Sequence, residues 1–320
     1  MIVVAAFNEL NVLDSIAVKL LEKCKSYTSI SIALVFITFI SAMIVTNDVA
    51  LLTFVPLSIV ISKKTNLDVL KIVVLQTLAA NLGSSFTPMG NPQNLFMYSF
   101  YNLTPVDFFN ITAPVLALST VFLLILIIKD KRGDLRINLD KVQVGNRSHI
   151  IIFSILFFII LLSVFHIINY KFTFLLTVIV VILVNNKLFS KVDYSLLITF
   201  IGFFIFVGNI STLDSVKSFM EGMLSSGKST FISSILSSQI ISNVPATMLL
   251  SGFTNHFKEL LLGVNIGGMG TLIASLASII SYKIYTKEFK GISSKYMRVF
   301  TFYNFLGLVL IIPLVYFLMI

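Results

Sequence analysis

Three apolar runs, Phe108 to Ile128, Ile150 to Ile168 and Val299 to Ile320, hold almost no charge. Each is about twenty residues long, enough for a helix to cross a hydrocarbon layer of roughly 30 Å. Inside that layer no water bonds the backbone, so each run must satisfy its own N–H and C=O groups as a helix. The fold class that follows is an all-α polytopic membrane protein. With 57% hydrophobic residues, 12% charged and a mean hydropathy of +0.99, too little charge remains to cover a soluble domain of this size.

Met1 to Phe7 is apolar but has no basic stretch before it, and Glu9 and Asp14 follow closely, so a cleaved signal peptide is not expected. The net charge of +9 does not point to nucleic acid, because the basic residues lie in short loops between apolar segments. The single cysteine, Cys24, excludes an internal disulfide and any cysteine-based metal cluster. No nucleophile with a base partner, phosphate loop or metal-ligand spacing is recognisable, so an enzyme is not expected, nor any cofactor beyond a coupling ion.

Some apolar segments are too short to span. Val49 to Ile61 has thirteen residues and follows Ser29 to Val45 after only Thr46-Asn47-Asp48, which predicts a re-entrant hairpin with its polar tip near mid-membrane. A second interruption runs from Asn81 to Asn94, where Gly83, Pro88, Gly90 and Pro92 fall inside an apolar stretch from Val69 to Phe100. Both features recur in the same order, as Ser242-Asn243-Val244-Pro245-Ala246-Thr247 and then Asn265 to Thr271. Asn81, Gly83, Thr87, Asn91 and Asn94 fall on Asn265, Gly267, Thr271, Ser275 and Ser278 at a constant offset of 184, and Leu13-Asp14-Ser15 falls on Leu213-Asp214-Ser215. Paired interrupted helices in two halves mark the binding site of a secondary transporter.

The expected organisation is a first inverted repeat over 1–129, a cytoplasmic linker over 130–149, and a second repeat with its scaffold helices over 150–320. If the first hairpin enters from the cytoplasm and the second from outside, segments 10–28, 62–71, 129–149, 187–193 and 283–298 lie inside. They hold 19 of the 23 Lys and Arg residues; only Lys171, Lys217, Lys228 and Lys258 remain outside. The C-terminus is then outside. The second half begins with Ile150 to Ile168, Phe172 to Asn186 and Tyr194 to Ile210, for which the first half has no counterpart. Either the architecture is shortened at its N-terminus, or a second subunit, as in a homodimer, covers the exposed flank.

The two tips and the two interruptions, Thr87-Pro88-Met89-Gly90-Asn91-Pro92-Gln93-Asn94 and Asn265-Ile266-Gly267-Gly268, resemble the ion transporter superfamily over about 1–129 and 190–320. That group includes arsenite permeases, citrate and other divalent-anion symporters, and bacterial sodium/proton antiporters of the inner membrane. The resemblance implies that a Ser-Asn-Thr triplet at each tip, with the unwound loop beside it, binds sodium and a substrate carboxylate. Here Thr46-Asn47-Asp48 stands for the first triplet and Ser242-Asn243-Val244 for the second, so both third positions depart from the pattern.

The residues themselves suggest the same chemistry. Helix N-termini near Val49, Asn94, Ala246 and Leu272 would direct free N–H groups to one spot and hold an anion without Lys or Arg. Expected substrate ligands are Asn47, Thr87, Asn91, Asn94, Ser242, Asn243, Thr247, Thr271 and Ser275. Expected cation-coupling residues are Thr46, Asn47, Asp48, Asn81, Gly83, Ser242, Asn243, Asn265 and Gly267, with sodium at the hairpin tips or a proton as the coupling ion. Asp48 is the acidic residue this topology places near mid-membrane; its alternative role is to cap the following helix. Asn, Ser and Thr also serve as interhelical hydrogen-bond glue, and Gly267-Gly268 also permits close packing. The leading expectation is a cation-coupled transporter of a small carboxylate or oxyanion working by alternating access. The alternatives are a sodium/proton antiporter, an arsenite-type efflux permease, and a membrane scaffold or fragment that transports nothing.

Overall fold

The computed structural model describes residues 1–129, 139–140, 142–210 and 212–320, and among these it contains helices and no strand. The expected linker at 130–149 therefore lies largely outside the described residues. In chain order the helices are α1 (Ile2–Glu9), α2 (Val12–Leu21), α3 (Tyr27–Val45), α4 (Asn47–Thr65), α5 (Leu70–Ser84), α6 (Pro92–Phe100), α7 (Pro105–Ile128) and α8 (Arg147–Val164). They continue as α9 (Tyr170–Asn185), α10 (Tyr194–Ile210), α11 (Asp214–Met223), α12 (Gly227–Ile241), α13 (Asn243–Ser251), α14 (Phe257–Ile266), α15 (Leu276–Glu288) and α16 (Ser293–Leu318). Two 3-10 segments, Asn186–Lys191 and Leu272–Ala274, complete the set.

Among the described residues five stretches are long and apolar enough to cross a bilayer: α3, α7, α8, α9 with its 3-10 extension to Lys191, and α16. The chain is a multi-pass membrane protein. The span expected at Phe172 to Asn186 gains length from that 3-10 extension and reaches 22 residues. The thirteen-residue segment after the first tip is in fact the 19-residue α4. Ser62, Lys63, Lys64 and Thr65 prolong it until Asn66, in the left-handed region at φ 56, ends it.

Helix starts are written in the sequence. Ser26 and Ser226 open α3 and α12 with the same reciprocal capping box, to Ser29 and Ser229 respectively, and Thr104 with Asp107 does so for α7, where Pro105 fills the first helical position. Position 46 ends α3 and position 242 ends α12, and both have positive φ.

Two compact units emerge from packing: Met1–Lys23 with Asn138–Thr199, and Cys24–Ile137 with Phe200–Ile320. This division by packing is distinct from the division by repeats. In the first unit, Val3, Ala6 and Phe7 of α1 meet Phe153 and Leu156 of α8, Val181 of α9 and Leu188, while Asn185 Nδ2 donates to Glu9 Oε1 at 3.0 Å. The other faces of α8 and α9 present Ile151, Ile155, Phe158, Phe174 and Leu183 outward, as lipid-facing helices do.

The second unit is organised around α5. Every residue from Leu70 to Ser84 except Lys71 is buried, a pattern that a helix shows only when surrounded by others. It packs against α3, α4, α7, α15 and α16. Gly83 permits the closest approach, because a Cβ there would lie 2.3 Å from the Phe39 carbonyl oxygen of α3. Polar cross-links supplement packing: Gln76, fully buried in α5, donates to Thr38 Oγ1 (3.1 Å) and the Phe54 carbonyl (3.2 Å) and accepts from Ser58 Oγ (2.8 Å), so one amide joins α3, α4 and α5. Thr77 Oγ1 donates to Ser281 Oγ at 2.7 Å, and Ser281 pairs with Tyr296 Oη at 3.0 Å, tying α5 to α15 and α16.

Candidate functional site

The site is built where four helices begin after a break, and all its parts belong to the second unit. The first break follows α3 at Thr46 (φ 101, ψ 152) and the third follows α12 at Ser242 (φ 74, ψ 153). That backbone region is open to glycine and costs other residues about 1–3 kcal/mol, so surrounding contacts must hold it. The contacts are equivalent on the two sides. Thr87 Oγ1 donates to the Met43 carbonyl, three residues before the first tip, and Thr271 Oγ1 to the Gln239 carbonyl, three residues before the second. The Gly90 carbonyl accepts from the Asn47 N–H (3.1 Å), and the Ala274 carbonyl, 184 residues on, accepts from Ser242 Oγ (3.4 Å).

The remaining breaks, between α5 and α6 and between α14 and α15, hold a buried amide network. Asn81 accepts from Ser275 Oγ (2.9 Å) and Asn47 Nδ2 (3.4 Å), and donates to Ser278 Oγ (3.4 Å) and the Gly268 carbonyl (3.2 Å). Asn265 accepts from Asn91 Nδ2 (3.1 Å) and donates to Asn94 Oδ1 (2.7 Å). Asn81 and Asn265 are repeat counterparts, as are Asn91 with Ser275 and Asn94 with Ser278, so each half reaches the equivalent pair in the other. Asn94 also ties down the break between α5 and α6, its Nδ2 donating to the carbonyls of Ser84, Ser85 and Thr87, each at 3.1 Å.

Side-chain capping is uneven at these helix starts. Asn91 caps α6 by accepting the Asn94 N–H at 2.8 Å, but the N-cap side chains of α4, α13 and α15, namely Thr46, Ser242 and Ser275, make no cap bond. The Ser275 hydroxyl goes to Asn81, and the Ser242 hydroxyl to Ala274 and Asn243 Oδ1 (3.5 Å). At α13 and α15 such uncapped N-termini keep N–H groups and the positive dipole end available to an anion, whereas at α4 the Asn47 and Asp48 N–H groups are taken by the Gly90 carbonyl and Asn47 Oδ1.

Several expected positions shift. The helices begin at Asn47, Pro92 and Asn243, within two or three residues of Val49, Asn94 and Ala246, while the fourth begins at Leu276 and not Leu272 because a 3-10 turn, Leu272–Ala274, intervenes. Asn81 and Gly83 lie inside α5 and Asn265 inside α14, so the first unwound stretch is the shorter 85–91. Gly83 and Gly267 stand at helix contacts, and their carbonyls already accept hydrogen bonds from Phe86 N–H and Gln239 Nε2. Thr247 lies within α13, where its hydroxyl donates to the Asn243 carbonyl at 2.6 Å. Asn243 packs its amide against Gly268, where a Cβ would come within 2.9 Å of Nδ2. Asp48 is half-buried in the first turn of α4, and its N–H donates to Asn47 Oδ1 at 3.0 Å.

One contributor escaped the sequence reading. Gln239 Nε2 donates to the Gly267 (2.8 Å) and Met269 (3.0 Å) carbonyls, and its Oε1 accepts the Thr271 N–H (2.9 Å). The available signal was a long amide inside the run from Phe231 to Ile241, whose repeat counterpart relative to the tip, Met43, is apolar. Among the described residues no cluster of His, Cys, Asp or Glu suits a metal ion.

Broken helices of a multi-pass helical protein meet here in a buried polar network, and with the matches that follow this makes the chain a transporter and not an enzyme. Residues 1–255 match the family described as citrate transporter, and the chain belongs to that family. Uncharacterized transporter MJ0456 of Methanocaldococcus jannaschii is 35% identical over 287 residues, covering 89% of this chain and 78% of that one. Inner membrane protein YbiR of Escherichia coli is 27% identical over 273 residues, covering 85% and 73%. A Dictyostelium discoideum transporter named arsB is 35% identical over 118 residues, 36% of this chain and 21% of its own.

Proposed function

We propose that this chain is a cation-coupled secondary transporter of a small anion, a carboxylate or oxyanion, in the cell membrane. Its two repeats are inverted, each contributing a re-entrant hairpin and an interrupted helix, and the C-terminus lies outside. The reading rests above all on the reciprocal pairing of Asn81 with Ser275 and Ser278, and of Asn265 with Asn91 and Asn94, at one offset of 184 residues. With the loop-charge asymmetry, that pairing favours a pseudo-two-fold axis in the membrane plane. The anion is held by N–H groups at the starts of α13 and α15 with the amides of Asn47 and Asn243. Sodium or a proton occupies the oxygens near Thr46, Asp48 and Ser242. The apolar outer faces of α8, α9 and α10 meet lipid or a second copy of the chain.

A carboxylate is supported by the family's description, which names citrate. The first test is a thermal-shift screen of citrate and smaller anions with and without sodium, since a ligand that binds the folded state stabilises it by mass action. Stabilisation by one anion, lost in Asn47→Ala and in Asn243→Ala while both variants remain monodisperse, is the expected result. Full ligand response in either variant would reassign that residue to packing. The second reading, a sodium/proton antiporter, rests on Asp48 in the first turn of α4. It predicts pH-gradient dissipation by sodium in proteoliposomes with no organic anion present.

A further inference from the structure

Away from the broken helices, a cavity of about 330 Å³ opens between the start of α5 and the first turns of α16. It is lined by Asp68, Leu70, Lys71, Lys295, Arg298, Val299, Phe302 and Tyr303. Its volume is at the lower end of the roughly 300–1,000 Å³ usual for small-molecule sites. Three cations face one carboxylate. Lys295 Nζ is engaged with Asp68 at 2.8 Å, and Lys71 Nζ donates to the Leu126 carbonyl at 2.9 Å and stands 5.5 Å from the centre of the Tyr303 ring. Arg298 is exposed and lines the cavity, and its guanidinium is the group best shaped for a phosphate.

We infer that this cavity binds the phosphate headgroup of an anionic phospholipid. The apolar side of the site selects a lipid over a free anion. Phe302 (62% exposed), Phe305 (45%) and Val309 (67%) follow at i, i+3 and i+7 on α16, an outward stripe that runs from the cavity down the helix. A free phosphate has no use for such a stripe, whereas an acyl chain covers it. The loop-charge topology puts the cationic end at the cytoplasmic surface, where anionic lipids concentrate and where basic pockets between helices hold headgroups. Because α5 belongs to the first repeat and α16 to the second, one bound lipid touches both. The inference is independent of the transported substrate.

The chain contains no tryptophan, which provides a clean reporter. Phe305→Trp in the full chain, reconstituted in phosphatidylcholine vesicles with increasing brominated phosphatidylglycerol, should be quenched well beyond the mole fraction of that lipid. Losing one cation is worth about a fivefold drop in relative lipid affinity. Arg298→Gln should therefore abolish most of the enrichment, Arg298→Lys should restore much of it, and a reporter at Phe317 should track bulk composition. Inorganic phosphate in the same vesicles separates the sources of the anion. Weak displacement at millimolar concentration supports the lipid, while saturable phosphate binding without lipid enrichment would overturn it. Quenching at position 305 that follows bulk composition, or that is unchanged in Arg298→Gln, would also overturn the proposal.

Discussion

The hydrogen bond between Asn265 Nδ2 and Asn94 Oδ1, at 2.7 Å with Asn94 fully buried and Asn265 5% exposed, offers a quantitative test of the stitched centre. Asn265→Ala removes that donor and leaves the Asn94 oxygen unsatisfied, while Asn91 keeps its bond to Ser84 Oγ at 3.2 Å. An orphaned buried acceptor costs about 1–3 kcal/mol, and side-chain hydrogen bonds within membranes average roughly 0.6 kcal/mol with a maximum near 1.7. Asn265→Ala should therefore destabilise by about 2–3 kcal/mol, and the Asn94/Asn265 double-mutant cycle should show a coupling of about 1–1.5 kcal/mol. Reversible unfolding by SDS in mixed micelles measures both. The pair Asn81/Ser275, at 2.9 Å and the counterpart of Asn265/Asn91, should also couple, whereas Asn265/Ser275, between which no bond exists among the described contacts, should be additive within about 0.5 kcal/mol. Coupling below about 0.3 kcal/mol in both bonded pairs would refute the claim that the amides join the two halves.

Asp48→Asn keeps the size of the side chain and much of its capping capacity but removes the charge, so sodium- or pH-driven accumulation in proteoliposomes should disappear while the protein remains folded; unchanged dependence on both gradients would make Asp48 a helix-start residue only. In a Cys24→Ser background, a cysteine at Lys290 should be labelled only from the cytoplasm and one at Asn255 only from outside; both positions are exposed, and labelling from one face would sink the inverted topology. The Lys63 ammonium beside Glu288 holds that carboxyl below its ordinary value of 4.5. The pair's contribution is thus present above pH 4.5 and lost as pH falls through the lower folded value, so Lys63→Gln should raise the Glu288 pKa in a carboxylate NMR titration and abolish that acid-side loss.

What could be read from the chain alone was whatever depended on period and local chemistry. Twenty-residue apolar runs dictate spanning helices, and the repeat of Asn81, Asn91 and Asn94 in Asn265, Ser275 and Ser278 gave the residues of the network before any contact was known. Helix ends were less legible. The start of α15 moved to Leu276 because nothing local distinguishes a 3-10 turn from the first turn of an α-helix. The interiors of α5 and α14 absorbed Asn81, Gly83 and Asn265 because an amide or glycine in a membrane helix need not break it when neighbouring helices satisfy or fill the position. Cross-partners such as Gln239 and Gly268 depend on tertiary packing, which no spacing rule encodes.

The two capping boxes, at Ser26 and Ser226, stand 200 residues apart, yet the tips they lead to, Thr46 and Ser242, stand 196 apart. The second arm has therefore lost four residues, about 6 Å of rise and little more than one full turn. Removing close to a whole turn rotates everything beyond it by only about 40°, so a helix can be shortened without turning its tip away from its partners. Both tips accordingly keep their bond from the broken-helix threonine, Thr87 or Thr271, three residues before the break. Arm length is then free to vary while tip geometry is not. On the inverted arrangement proposed above, one tip would sit about 6 Å closer to its own membrane surface than the other. The barrier on that side would then be the thinner one, and opening the two faces of the membrane would require unequal movement.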